Sequence, residues 1–153
     1  MMTDVIIIGG GPSGCAAALG LNRLGYRVVL CDQAKFPRDK VCGEFVSPAA
    51  DPILKRLGVL DRIEALSPKR LKGVAICSYE GEEIVIDYPQ MPGMDARPTS
   101  LSVPRYELDA SFLLQVKQVG VEVLEQHKVT EFLFADGRVN GVSGLDESKT
   151  SFT

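Results

Sequence analysis

Three glycines, Gly9, Gly11 and Gly14, and one carboxylate, Asp32, have the types and order needed to hold a charged nucleotide. The first glycine permits a tight turn after an apolar run. The second lacks a Cβ, so a pyrophosphate can approach the backbone. The third lets the following helix pack closely on the preceding strand. Pro12 and Ser13 stand at the start of that helix. Unpaired N–H groups and the positive end of the helix dipole favour an anion there, and Ser13 adds a hydroxyl donor. Asp32 closes the next apolar run, with Gln33 beside it. A carboxylate in that place accepts hydrogen bonds from both hydroxyls of an adenosine ribose and repels a 2′-phosphate. The pattern points to dinucleotide binding, with NADP disfavoured. It does not separate FAD from NAD.

The elements that must position these residues are legible around them. Val5 to Ile8 is a short, fully apolar, β-branched run, which predicts a central strand covered on both faces. Pro12 to Leu24 reads as a helix stopped by Gly25, with Ala18 as the small residue wanted where helix crosses sheet. Arg27 to Cys31 is the second strand, completing one β-α-β unit with parallel strands. Gln33 to Pro48 is polar and turn-rich, hence a loop. Pro52 to Leu57 and Val59 to Ala65 read as short helices. Gly73 to Tyr79 and Ile84 to Tyr88 read as a hairpin around Glu80–Glu83. Met91 to Pro98 is a connector, and Ser100 to Val103 is extended. Arg105 to Val119 is a helix with Leu108, Phe112, Leu113 and Val116 on one face, capped by Gly120. Val121 to Glu125 is a further parallel strand. Val129 to Phe134 and Arg138 to Leu145 flank an Asp136-Gly137 hairpin turn, and a polar tail follows. The fold class is therefore α/β: a parallel sheet with crossover helices, Rossmann-like, plus a small β-meander.

Composition removes several functions. The net charge of −3 argues against a general attraction to nucleic acid. Four cysteines without a C-x-x-C pair, and a single histidine, do not make a zinc site. Most of Cys15, Cys31, Cys42 and Cys77 read as buried, reduced thiols of a cytoplasmic protein. The N-terminus, with Asp4 and no basic segment, is not a signal peptide, and no apolar run is long enough to span a membrane. A peripheral membrane contact remains compatible with the sequence.

The stretch KFPRDKVCGEFVSP, Lys35 to Pro48, carries further information. Pro37-Arg38-Asp39-Lys40-x-Cys42-Gly43-Glu44 with Ser47-Pro48, the glycine turn, Asp32, and the later Arg105-x-x-Leu108-Asp109 together resemble the N-terminal half of the geranylgeranyl reductase-like flavoproteins. These belong to a class of FAD-dependent oxidoreductases that includes aromatic hydroxylases and tryptophan halogenases. The resemblance runs from Asp4 to about Leu145. It implies FAD as cofactor and, in a full-length enzyme, a hydrophobic or aromatic small-molecule substrate. It places Cys42 and Gly43 near the flavin ribityl chain and ring, Arg105 near the phosphate–ribityl region, and the backbone of Val129 against the adenine.

The residues have plainer readings too. Arg105 is spaced to pair with Asp109, although a cation at a helix start opposes the helix dipole, which favours a ligand role. Gly43 can serve a turn, and Cys42 can be packing. Arg38 and Lys40 read as solvated or steering charges, His127 as a surface residue, and Glu44 as the nearest, weak candidate for an acid or base. Relative to the resembled family, a second Ala-Asp-Gly-like segment, the later Gly-Asp motif and the substrate-binding and C-terminal parts are missing. Ala135-Asp136-Gly137 sits in the hairpin turn instead. Residues 1–153 are accordingly expected to be the N-terminal part of an FAD-binding domain that binds FAD weakly and turns over nothing alone. The alternatives are an NAD-binding module and a non-enzymatic interaction protein.

Overall fold

A computed structural model describes residues 3–90 and 98–153. The chain divides into two compact units, Met1–Lys40 with Arg105–Thr153, and Val41–Pro104.

The first unit begins with strand β1 (Val5–Ile8), helix α1 (Pro12–Arg23) and strand β2 (Val28–Asp32). α1 is rich in alanine and leucine and buries Cys15, Ala18 and Leu19. It ends in a Schellman turn: Gly25, at φ +87°, donates to Asn22 O, and Tyr26 N donates to Leu21 O. At the start of the sheet, Asp4 accepts from the Arg27 backbone and guanidinium at 2.9 and 2.7 Å. Those hydrogen bonds from Arg27 lower the Asp4 carboxyl to about 2.

The second unit contains β3 (Phe45–Val46), a 3-10 turn (Pro48–Ala50), α2 (Asp51–Leu57), α3 (Leu60–Ala65), β4 (Lys69–Leu71), the hairpin strands β5 (Gly73–Cys77) and β6 (Glu83–Asp87), and β7 (Ser100–Ser102). β7 lies between β3 and β4 in an antiparallel sheet. Its core is Leu54, Leu57, Val59, Ile63, Leu101 and Val103. Arg70 joins α2 and α3 to β4 through Asp51, at 2.5 Å, and Glu64.

The first unit resumes with α4 (Arg105–Gln118), β8 (Glu122–Glu125), and the antiparallel strands β9 (Lys128–Ala135), β10 (Arg138–Leu145) and β11 (Ser151–Phe152). α4 buries Leu108, Phe112, Leu113 and Val116, the face expected from their spacing. It packs beside α1. β1, β2 and β8 make one parallel sheet in the order β1-β2-β8. In β9–β10, Asp136 and Gly137 both have positive φ, as a two-residue type I′ turn requires.

Three expectations need correction. β1 is not central: it is an edge of the sheet formed by the described residues, with Ile6 and Ile8 37% and 49% exposed. A continuous apolar run says nothing about which neighbours exist, and β2 takes the middle place. The polar tail and the Gln33–Pro48 loop each contain a two-residue strand, β11 and β3, paired to β10 and β7. Together with the three-residue β4, they are too short to show a period. Of the cysteines, Cys15 and Cys31 are buried and Cys42 and Cys77 are exposed. The expected connector Met91–Pro98 lies, apart from Pro98, outside the described residues.

Candidate functional site

The glycine turn joins β1 to α1, and each glycine has a separate reason. Gly9 has φ +109°, a conformation that disfavours side chains. A Cβ on Gly14 would stand 1.9 Å from Gly9 O, so only glycine lets the helix start fold against the turn. Gly10, which the motif leaves unspecified, is buried under the Phe36 ring, 3.1 Å from where its Cβ would be. Gly11 is the N-cap of α1 and supplies no capping side chain. Pro12 opens the helix, where its missing N–H costs nothing. Ser13 is exposed on the first turn, and Cys15 behind it donates its thiol to Gly10 O at 3.3 Å. Burial, with Asp109 and Asp32 nearby, pushes that thiol up to about 12.

Asp32, buried at the end of β2, is held on both oxygens. Oδ2 accepts from Gly10 N at 2.6 Å and Oδ1 from Ala34 N at 2.7 Å. The carboxylate thus braces the glycine turn while facing an open pocket of about 510 Å³. Gly9, Gln33, Arg38, Lys40, His127 and Val129 also line this pocket. The turn after β8 is tied to the chain after β2: His127 N donates to Asp32 O at 2.9 Å and Gln126 N to Ala34 O at 3.2 Å. Those bonds bring Val129 to the same wall as Asp32 and Gln33. His127 is half-buried rather than a plain surface residue. Its Nδ1 lies 2.7 Å from Glu125 O, and its ring is 5.0 Å from that of Phe152.

Two arginines stand beside Gly11. Arg105 grips Asp109 one helical turn on, through Nε–Oδ1 at 2.6 Å and Nη2–Oδ2 at 2.8 Å. Arg38 approaches the same carboxylate at 3.4 Å and lies over the Phe36 ring, 4.8 Å from its centre. Phe36 is itself fixed, its N–H donating to Glu125 Oε1 at 2.6 Å. Burial raises the Glu125 carboxyl, but hydrogen bonds from Lys117 and Phe36 outweigh it and lower it overall. A methyl on Gly11 would meet Nη2 of Arg105 and Nη2 of Arg38, each at 3.8 Å. Arg38 is therefore not a solvated charge. Its side chain is only 19% exposed, because the buried Asp109 and the Phe36 face hold it.

Gly9, Gly11, Pro12, Ser13, Gly14, Asp32, Gln33, Arg105 and Val129 all belong to the first unit, and the fold brings them around the turn and its pocket. Cys42 and Gly43 belong to the second unit, on an exposed segment where Glu44 has φ +55° and its carbonyl accepts from Val103 N at 3.1 Å. Sequence reasoning passed over Gly10, Phe36 and the pairing of Arg38 with Asp109. The doubled glycines and the aromatic beside Pro37 were the visible signals.

The profile of the family described as FAD binding domain matches residues 2–150. The chain belongs to that family. Its cofactor is FAD, which decides between the two dinucleotides left open by the glycine turn. A menaquinone reductase of Mycolicibacterium smegmatis is 35% identical over 148 residues, covering 96% of this chain and 34% of the relative. A tryptophan 2-halogenase of Chondromyces crocatus is 32% identical, covering 86% and 24%. The solved myxobacterial chondrochloren halogenase, an FAD-dependent halogenase, superposes with a TM-score of 0.88 at 29% identity over 98% of this chain and 34% of its own. The chain thus spans about a third of the length of the menaquinone reductase and the chondrochloren halogenase. Among the described residues, no helix is long and apolar enough to cross a membrane.

Proposed function

We propose that this chain is the FAD-holding portion of a flavin-dependent oxidoreductase of the geranylgeranyl reductase-like group. One observation carries the reading: two guanidinium groups stand against Gly11, at a helix start that has no capping side chain. That cradle fits a diphosphate, since both the helix end and the arginines favour an anion and no Cβ blocks it. In this reading Gly9, Gly11, Pro12, Ser13 and Gly14 shape the turn and offer backbone and hydroxyl donors to the diphosphate. Arg105 and Arg38 neutralise its charge. Asp32 accepts the ribose hydroxyls, with Gln33 beside them, and the Val129 backbone meets the adenine. Cys42 and Gly43 are assigned to the flavin end on the resemblance alone.

When bound, FAD supplies hydride transfer or oxygen activation. The residues of this chain bind and orient it. None is assigned as an acid or base. The similarity to proteins named menaquinone reductase favours a reductase acting on a hydrophobic substrate. The halogenase similarities support a second reading, flavin-dependent halogenation.

The test is an absorbance spectrum of the purified chain before and after adding FAD. Flavin bands at about 370 and 450 nm that stay with the chain through gel filtration are expected. Asp32→Ala should weaken retention. A colourless chain that ignores FAD but binds NAD would overturn the reading.

A further inference from the structure

Asp109 has no surface exposure, yet it is a full carboxylate on the buried face of α4. Its buried neighbours along α4 include Leu108, Phe112 and Leu113, which carry no charge. What it does contact is informative. Both its oxygens are taken by Arg105, in a two-point fork, and Arg38 from the loop after β2 reaches Oδ2. The two arginines come from distant parts of the chain and converge on Gly11. A lone arginine at a helix start is disfavoured by the dipole, and two guanidinium groups side by side repel. One buried carboxylate offsets both effects.

We infer that Asp109 is a positioning residue for diphosphate binding, orienting Arg105 and Arg38 over Gly11 so that both face one anion. The inference rests on the proposed FAD site and adds a role that neither the glycine motif nor the resemblance assigns. Its function is geometric. Phe36, anchored on Glu125, sets the Arg38 guanidinium from the other side, so the anion meets a cation pair already in place. Preorganisation of that kind lowers the ordering cost of binding.

Charge and geometry predict opposite results, which makes the inference testable. Asp109→Asn removes a negative charge beside the anion site. If charge alone mattered, a diphosphate would bind more tightly. If Asp109 positions the arginines, binding weakens. Calorimetric titration of the 153-residue chain with ADP and with adenosine, alongside a thermal melt, separates the cases. We expect Asp109→Asn to lower ADP affinity about tenfold or more, with adenosine affinity unchanged within about twofold. Unchanged or tighter ADP binding overturns the inference. So does an equal loss for adenosine, which marks a general structural role. Should Asp109→Asn fail to fold, Arg105→Lys keeps the charge and loses the fork. It should lose ADP affinity about as much as Arg105→Met, and full retention by the lysine variant overturns the inference. If the unaltered chain binds neither ADP nor FAD, the site reading falls and this inference with it. If it binds both and Asp109→Asn is neutral, only the inference falls.

Discussion

Val28–Asp32 in β2 and Glu83–Asp87 in β6 are strands of equal length and similar apolar content. In β2 every residue but Val29 is buried, between α1 and its two parallel neighbours. In β6 every residue is exposed, Ile84 by 62% and Val85 by 66%, and its partner β5 is little better covered. The hairpin has its ladder hydrogen bonds and its turn at Gly81, but no covering layer among the described residues of its own unit. Local pattern makes a strand; a neighbouring layer makes it part of a core. A two-stranded ribbon with apolar residues on both faces draws little stability from burial.

The largest expected effect tests that contrast directly. Leu30→Ala in β2 should cost about 2–5 kcal/mol in urea unfolding, while Ile84→Ala in β6 should stay within about 0.5 kcal/mol. A hairpin substitution that costs as much as the core one would mean that the ribbon is covered in solution.

A second pair sharpens the contrast within α1. Gly14→Ala drives a methyl into Gly9 O and should cost about 1–3 kcal/mol and abolish FAD retention. Gly20→Ala meets open space in the same helix and should raise stability by about 0.5–1 kcal/mol. Thermal melts of the two variants decide it. Equal effects would remove the reason given for Gly14.

Acid should act next, through Glu125. Its folded-state carboxyl is lowered, so its contribution is complete above the ordinary carboxylate value of 4.5 and is lost as pH falls through the folded value. The Phe36 amide, followed by NMR, should lose protection over that acidic range, and Glu125→Gln should flatten the change. No pH dependence at Phe36 would break the proposed anchor.

The smallest effect is kinetic. At pH 8 a maleimide should modify Cys42 and Cys77 within minutes and leave Cys15 and Cys31 unmodified until urea is added. Burial keeps Cys15 protonated, with Asp109 and Asp32 adding to the shift, and its value near 12 means almost no thiolate at that pH. Rapid labelling of Cys15 would contradict the packing of the glycine turn.

Much of the first unit was legible because its signals are local. The β-α-β order, the stop at Gly25, the apolar face of α4 and the Asp136-Gly137 turn each depend on residues within a few positions of one another, and each stands where expected. The glycine turn and Asp32 were legible as a site because their spacing implies a shared turn. Less was readable where a feature depends on distant partners. Arg38 looked solvated because Asp109, its counter-charge, is far along the chain. Phe36 was visible as an aromatic beside Pro37 but could not be placed, because its anchor on Glu125 and its seat over Gly10 exist only once β8 lies beside β2. β3, β4 and β11 were missed because strands of two or three residues are recruited by a neighbour rather than by their own pattern.

By itself, then, the sequence determined that a strand, a glycine turn, a helix and a terminal carboxylate occur in the order that FAD-binding chains use. Those properties are written in backbone freedom, side-chain size and short-range periodicity. Tertiary structure alone decided that, among the described residues, β1 lies at a sheet edge and β2 in the middle, that Asp32 braces Gly10, and that Arg38 and Arg105 share one buried carboxylate above Gly11. Burial, pairing and convergent charge are relations between residues far apart in the chain, and they exist only after the chain has folded.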